Sequence, residues 1–242
     1  MKKHILRLLC FALLFFAGER TVYSQVPETG NWLIYFGNQN FGNNKWVFHN
    51  EIQYRNYNFV GNTEQLLIRT GVGRYLTENN NILSAGYAFI HTRPLGEMDG
   101  ILDVVEDRAF DEHRIWQQFW SRQNVGRLVL IHRYRFEQRF FGNDDFRMRY
   151  RYFLGANFPL NKNRMGEDTW YLSAYNEIFL NSNQDDNPAI FDRNRLYGAI
   201  GYQTSPRLRF EVGFMRQSTN NPLFTRNQLQ FVIFNNLPFG QR

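Results

Sequence analysis

Guanidinium groups spaced two residues apart run through the centre of this chain. In VLIHRYRFEQRFFGNDDFRMRYRYFL, from Val129 to Leu154, Arg133, Arg135, Glu137 and Arg139 occupy alternate positions. After a polar turn through Gly142, Asn143, Asp144 and Asp145 the series resumes at Arg147, Arg149 and Arg151. A row of arginines on one face can attract or bind phosphate, sulfate or a sugar acid through bidentate bonds, and it can equally close on carboxylates as a structural network. Parity along neighbouring segments adds Arg55, Arg69, Arg195 and Arg209 to the same face, together with Glu51, Glu177 and Glu211. In this set arginines outnumber carboxylates, so some must meet carbonyls, tyrosines, water or an outside anion.

Other chemistry has thinner support. A hydrolase needs serine, histidine and a carboxylate brought together. His91 and His113 bracket a long loop with Asp107, Asp111 and Glu112 nearby, His49 and Glu51 share one strand face, and Ser84 and Ser173 fall on the arginine-bearing face. No serine sits in a recognised nucleophile motif. The loop acids Glu97, Asp99, Asp103, Glu106, Asp107, Asp111 and Glu112 offer oxygen ligands to a hard cation, one shared with lipopolysaccharide phosphates for example, but their spacing follows no calcium-loop pattern. The NQDDNP segment at 183–188 is read the same way, as a solvated loop. No catalytic residue, metal ligand or cofactor is assigned.

The elements that position the arginines are strands, because a strict period of two is the signature of β structure. Opposite the arginines, Tyr134, Phe136, Gln138 and Phe140 share a face, as do Phe146, Met148, Tyr150, Tyr152 and Leu154. A soluble sheet hides such an apolar face in a core, whereas a membrane barrel turns it to lipid and keeps the polar face in its lumen.

The rest of the sequence favours the barrel. Lys2, Lys3 and Arg7 precede an apolar run from Leu8 to Ala17, and Val22 and Ser24 stand three and one residues before Gln25. This is the pattern of a cleaved secretory signal peptide over residues 1–24. Its apolar run is too short for a spanning helix, which needs roughly 20 residues. The single cysteine, Cys10, lies in that segment, so residues 25–242 carry no disulfide or thiolate chemistry. Removal of Lys2, Lys3, Arg7, Glu19 and Arg20 lowers the formal charge from +6 to +3. A modest charge on an exported chain argues against nucleic acid as a partner. After the leader only Lys45 and Lys162 remain as lysines, and every other cation is arginine. Arginine is the residue suited to enclosed, bidentate pairing.

Alternation recurs along the chain: Val47, His49, Glu51, Gln53 and Arg55 oppose Trp46, Phe48, Ile52 and Tyr54, and Tyr171, Ser173, Tyr175 and Glu177 oppose Trp170, Leu172, Ala174 and Ile178. Several runs reach the roughly 9 to 11 residues of a tilted membrane strand. Longer, more polar connections near 58–63, 92–112, 140–145, 181–192 and 217–226 alternate with mostly shorter ones near 76–81, 122–126, 161–168 and 203–207. Such sidedness marks an outer-membrane barrel. Counting from Lys45 to Phe234 gives about ten strands, with both ends on the periplasmic side, as an even-stranded barrel requires. Trp32, Ile34 and Phe36 complicate the count. They form either an extra strand, which calls for a partner such as Ile101 to Val105, or a periplasmic or lumenal N-terminal segment.

Trp32, the KWVFHNEIQYRNY run, QLLIRTGVGRYL with Arg69, NNNILSAGYAFI, and above all EHRIWQQF followed by HRYRFEQRF and RMRYRYFLG resemble the domain of unknown function 2490 family. The resemblance covers nearly all of residues 25–242. It implies a small outer-membrane β-barrel of the kind found in Gram-negative bacteria, many of them Bacteroidota, and it implies no activity.

The expectation is an all-β chain: one antiparallel transmembrane (outer-membrane) β-barrel of about 10 to 12 strands over residues 25–242, in the cell outer membrane. Its lumenal charge network is filled by Arg/Glu pairs, because a barrel this narrow has room for little but side chains. The function expected is structural, or that of an interaction subunit. A narrow anion-selective channel or ligand-binding barrel is the alternative, and a rim-sited lipid-modifying hydrolase the second alternative. Expected partners are outer-membrane lipid and lipopolysaccharide, the barrel-assembly machinery during insertion, and other outer-membrane proteins.

Overall fold

A computed structural model of the chain describes residues 29–41, 45–59, 61–77, 80–98, 101–104, 108–142, 145–182, 190–220 and 225–237. Residues 1–24, and with them the expected leader and Cys10, lie outside these, as do 183–188 and Phe239.

The described chain forms strands throughout. Eleven close into one barrel: β1 (Thr29–Phe41), β2 (Trp46–Asn56), β3 (Thr63–Thr77), β4 (Asn81–Thr92), β7 (Phe110–Val125), β8 (Leu128–Phe141), β9 (Phe146–Pro159), β10 (Thr169–Asn181), β11 (Phe191–Ser205), β12 (Leu208–Thr219) and β13 (Arg226–Asn235). The remaining pair, β5 (Leu95–Met98) and β6 (Ile101–Val104), makes a separate hairpin between β4 and β7. Neighbours in the barrel are antiparallel except at the seam, where β1 runs parallel to β13 from Thr29↔Asn227 to Gly37↔Asn235.

The seam corrects the even count. Trp32, Ile34 and Phe36 do form an extra strand, but it needs no partner from the 92–112 loop, because β1 is held by β2 on one side and β13 on the other. Among the described residues Ile101–Val104 pairs only with Leu95–Met98, and Val105 lies outside them. An odd number of strands also separates the ends of the barrel. Thr29 lies at the end with the long connections, and Asn235 at the end with the short turns. Closure leaves no unpaired barrel edge, which suits a chain without disulfides.

Side-chain parity follows the sequence. Inward positions are buried and outward ones exposed, as in β3, where Leu67 and Arg69 are buried while Ile68, Thr70 and Val72 face out. Gly126 (φ +62°) supplies the positive φ that the two-residue turn between β7 and β8 requires. Bare backbone inside the barrel makes room for flat aromatic rings. A Cβ on Gly86 would come 2.6 Å from the Trp116 indole, and one on Gly213 would come 2.5 Å from the Tyr197 ring.

Candidate functional site

Alternate residues of β2, β3 and β7–β10 project guanidinium and carboxylate groups into the lumen. The hub is Glu137 on β8, which is completely buried. Its carboxylate accepts from Arg149 Nε (3.0 Å) and Nη2 (2.6 Å) and from Arg151 Nη1 (2.7 Å). Arg69 stands 3.6 Å away, and Arg114 and Arg135 each 3.8 Å. Arg151 bridges onward to Glu177 (2.7 Å), which also accepts from Arg133 (2.7 Å). Nearer the long loops, Glu112 takes Arg114 Nη2 at 2.7 Å and Arg139 Nε at 2.5 Å. Glu51 pairs with Arg69 and sits 3.4 Å from His49 Nε2. These four glutamates hold seven arginines in one connected network, the arrangement in which buried charges satisfy one another.

Glu211, Arg209 and Arg147 are held differently from what pairing by parity suggests. Glu211 accepts from two phenols, Tyr171 (2.9 Å) and Tyr197 (3.2 Å). Arg209 lies over the Phe234 ring, 4.0 Å from its centroid. Arg147, at the rim, pairs with Asp145 and is half exposed.

Arg55 and Arg195 have only neutral hydrogen-bond partners. Arg55 donates to Gln65 Oε1 (2.6 Å) and Gln53 Oε1 (3.0 Å), and Arg195 to Gln217 Oε1 (2.9 Å). Both guanidinium groups pack on the Trp32 indole, at 3.9 and 4.9 Å from its centroid, and Arg195 also lies 4.7 Å from the Phe179 ring. The opposite wall, on β1 and β11–β13, carries an apolar cluster among buried polar groups such as Glu211 and Gln230: Trp32, Ile34, Tyr197, Met215 and Val232 are buried together, with Phe36, Tyr175 and Phe234 packed against them.

Between the two walls lies a cavity of ≈ 380 Å³ reaching from Thr92 and Phe110, near the long-loop end, to Asn157 and Arg209, near the short-turn end. Eleven arginines and five glutamates line it. Among the described residues, buried donors without a hydrogen-bond partner belong to residues that line this cavity, including Arg69 Nε, Arg135 Nη1 and the indole nitrogen of Trp32.

A model for the family described as "Protein of unknown function (DUF2490)" matches residues 29–228, from the first described strand into β13. The chain belongs to the DUF2490 family. No curated protein and no solved structure matches this DUF2490 chain.

Groups considered for hydrolysis are not assembled. His91 pairs with Asp111 (2.7 Å) and His113 with the Tyr87 hydroxyl, both pairs exposed on the outer surface. Ser84 and Ser173 are buried on the lumenal side of the same wall, and Glu112 is committed to its arginines. Asp99, Glu106, Asp107 and the 183–188 acids fall outside the described residues. Among the described residues no group of three potential metal ligands forms. Sequence reasoning used Trp32 and Trp116 only as part of the family resemblance and missed their contacts with arginine, Trp32 with Arg55 and Arg195 and Trp116 with Arg135 at 5.4 Å.

Proposed function

We propose that this DUF2490 chain is an exported outer-membrane β-barrel, set in lipid by its outer face and filled by its Arg/Glu network, which serves as a structural or interaction subunit and not as an open pore. The observation that carries the proposal is the outer face. Ile52, Ile68, Ile115, Tyr134, Tyr150, Leu172, Ile200, Val212 and Phe231 encircle the barrel with 36% to 56% of their surface exposed. Apolar patches on soluble monomers rarely exceed a few hundred Å². A belt around a barrel with a charged interior is the arrangement lipid demands.

Several polar groups in the belt pair with one another across neighbouring strands, which suits a medium without water. Asn176 and Asn194 exchange amide bonds at 2.9 and 3.1 Å, His132 meets the Tyr152 hydroxyl at 3.0 Å, and Gln117 donates to Gln138 at 3.3 Å. The exposed tryptophans, Trp46 and Trp170, stand at the short-turn end, Trp170 against Tyr202 at 4.7 Å. Trp and Tyr concentrate where a membrane meets water. Lipid, lipopolysaccharide and the assembly machinery are the partners this reading implies, with the long loops as the surface for other outer-membrane proteins.

Fractionation of expressing cells tests it. The protein is expected to stay with the outer membrane through a carbonate wash and to change electrophoretic mobility on boiling. Recovery in the soluble periplasmic fraction with no mobility shift overturns the reading. Planar bilayers are expected to stay silent, and reproducible anion-selective steps would replace the filled barrel with a channel.

A further inference from the structure

We propose that the lumenal cavity is a binding site for an anionic amphiphile, a molecule with a phosphate or carboxylate head and a short aliphatic arm, whose head is held by Arg55 and Arg195. The inference needs the closed barrel but not its membrane setting, so a periplasmic location would leave it standing.

Three observations converge. First, Arg55 and Arg195 are each only 7% exposed and are answered by neutral amides alone. Among the described residues no carboxylate forms an ion pair with either, so that Glu64 and Glu51 act on Arg55, and Glu177 on Arg195, only through space, and a buried cation without a direct counter-charge is costly. Second, the imbalance extends along the cavity, whose lining has six more arginines than glutamates. Buried Glu137 and part-buried Asp192, already engaged by Arg149, Arg151 and Arg193, reduce this excess without removing it. Trp32 Nε1, on a residue 2% exposed and without a hydrogen-bond partner among the described residues, adds a donor on the ring against which both guanidiniums pack.

Third, the wall beyond Trp32 carries an apolar cluster, bordered by Gln230 and by Arg209 over Phe234. Ile34, Phe36, Val232 and Phe234 line the cavity toward the short-turn end, with Phe36 and Phe234 stacked at 5.2 Å. An inorganic ion makes no apolar contact with the cavity side of this stretch, whereas an aliphatic arm does. The volume falls within the roughly 300–1,000 Å³ of small-molecule sites. Bidentate bonds from two arginines suit a phosphate or carboxylate head.

The test uses the full chain in nanodiscs of zwitterionic lipid, with empty discs as reference, titrated with hexyl phosphate and with inorganic phosphate. Binding is read by calorimetry and by the Trp32 indole N–H resonance, assigned with Trp32→Phe. Hexyl phosphate is expected to bind at least tenfold more tightly than inorganic phosphate, to move the Trp32 signal, and to lose at least tenfold in affinity in Arg195→Gln. Val232→Trp, which keeps every arginine while filling the apolar stretch, should reduce hexyl phosphate to the affinity of inorganic phosphate and keeps the test open if Arg195→Gln misfolds. Equal affinity for both probes overturns the apolar arm. Absence of binding, or binding indifferent to both substitutions, overturns the site.

Discussion

At the scale of single residues, position in the charge network should decide how much a substitution costs. Glu137 is fully buried and accepts bonds from Arg149 and Arg151, with Arg69, Arg114 and Arg135 within 3.8 Å. Glu137→Gln keeps the shape and removes the charge that all five share. Breaking a buried pair from one side costs about 3–5 kcal/mol, because the remaining charge stays buried. The variant should therefore unfold at much lower urea concentration, or fail to insert. Arg147→Gln removes the Asp145 pair at the rim, where the arginine side chain is 46% exposed. An exposed pair contributes about 0–1 kcal/mol, so this variant should unfold close to wild type. Equal losses at the two positions would show that the lumen is wet enough to screen Glu137 as water screens the rim. The excess of arginine was countable from parity. Most of the pairings were not, because they cross between strands: Glu211 turns to Tyr171 and Tyr197 while Arg209 turns to Phe234.

At the scale of elements, the decisive feature is the parallel seam. Its register places Leu33 beside Phe231, both on the outer face, so cysteines there should lie about one strand spacing apart, near 4.8 Å. That is inside the Cα separation a disulfide accepts, roughly 4.4–6.8 Å. With Cys10 replaced, the Leu33→Cys, Phe231→Cys pair is expected to oxidise to an intramolecular crosslink, while Leu33→Cys with Val212→Cys is not. Crosslinking in neither pair would mean that β1 leaves the wall. This seam is where the sequence was least legible. Strands such as β3 and β8 announce themselves by alternation, and antiparallel partners by the turn between them. A parallel partner nearly 200 residues away leaves no turn signal, so Trp32, Ile34 and Phe36 showed a strand's pattern without showing what held it. Ile101–Val104 misled for the converse reason: it has strand-like residues, but its partner is the local Leu95–Met98.

For the whole molecule, eleven strands have a consequence that ten or twelve would not. An odd count puts the two ends of the barrel wall at opposite openings, Thr29 with the long connections and Asn235 with the short turns. Bacterial single-chain barrels carry even numbers and so keep their ends together, although an odd-stranded membrane barrel is known in mitochondria. If the long connections face outward, as proposed, an epitope inserted after Gln25 should be reached by antibody on intact cells, and one placed after Leu237 only once the outer membrane is permeabilised. The same cells would report on the seam, because an N-terminal strand lying free in the periplasm puts both epitopes behind the membrane. Protection of both epitopes in intact cells, with barrel mobility retained, would mean that ten strands close the wall and β1 does not. The Trp32 shelf beneath Arg55 and Arg195 would go with it, since that indole enters the lumen only as part of β1. The strand that makes the count odd is thus also the one that supplies the aromatic floor of the proposed anion site, and a single accessibility experiment bears on both.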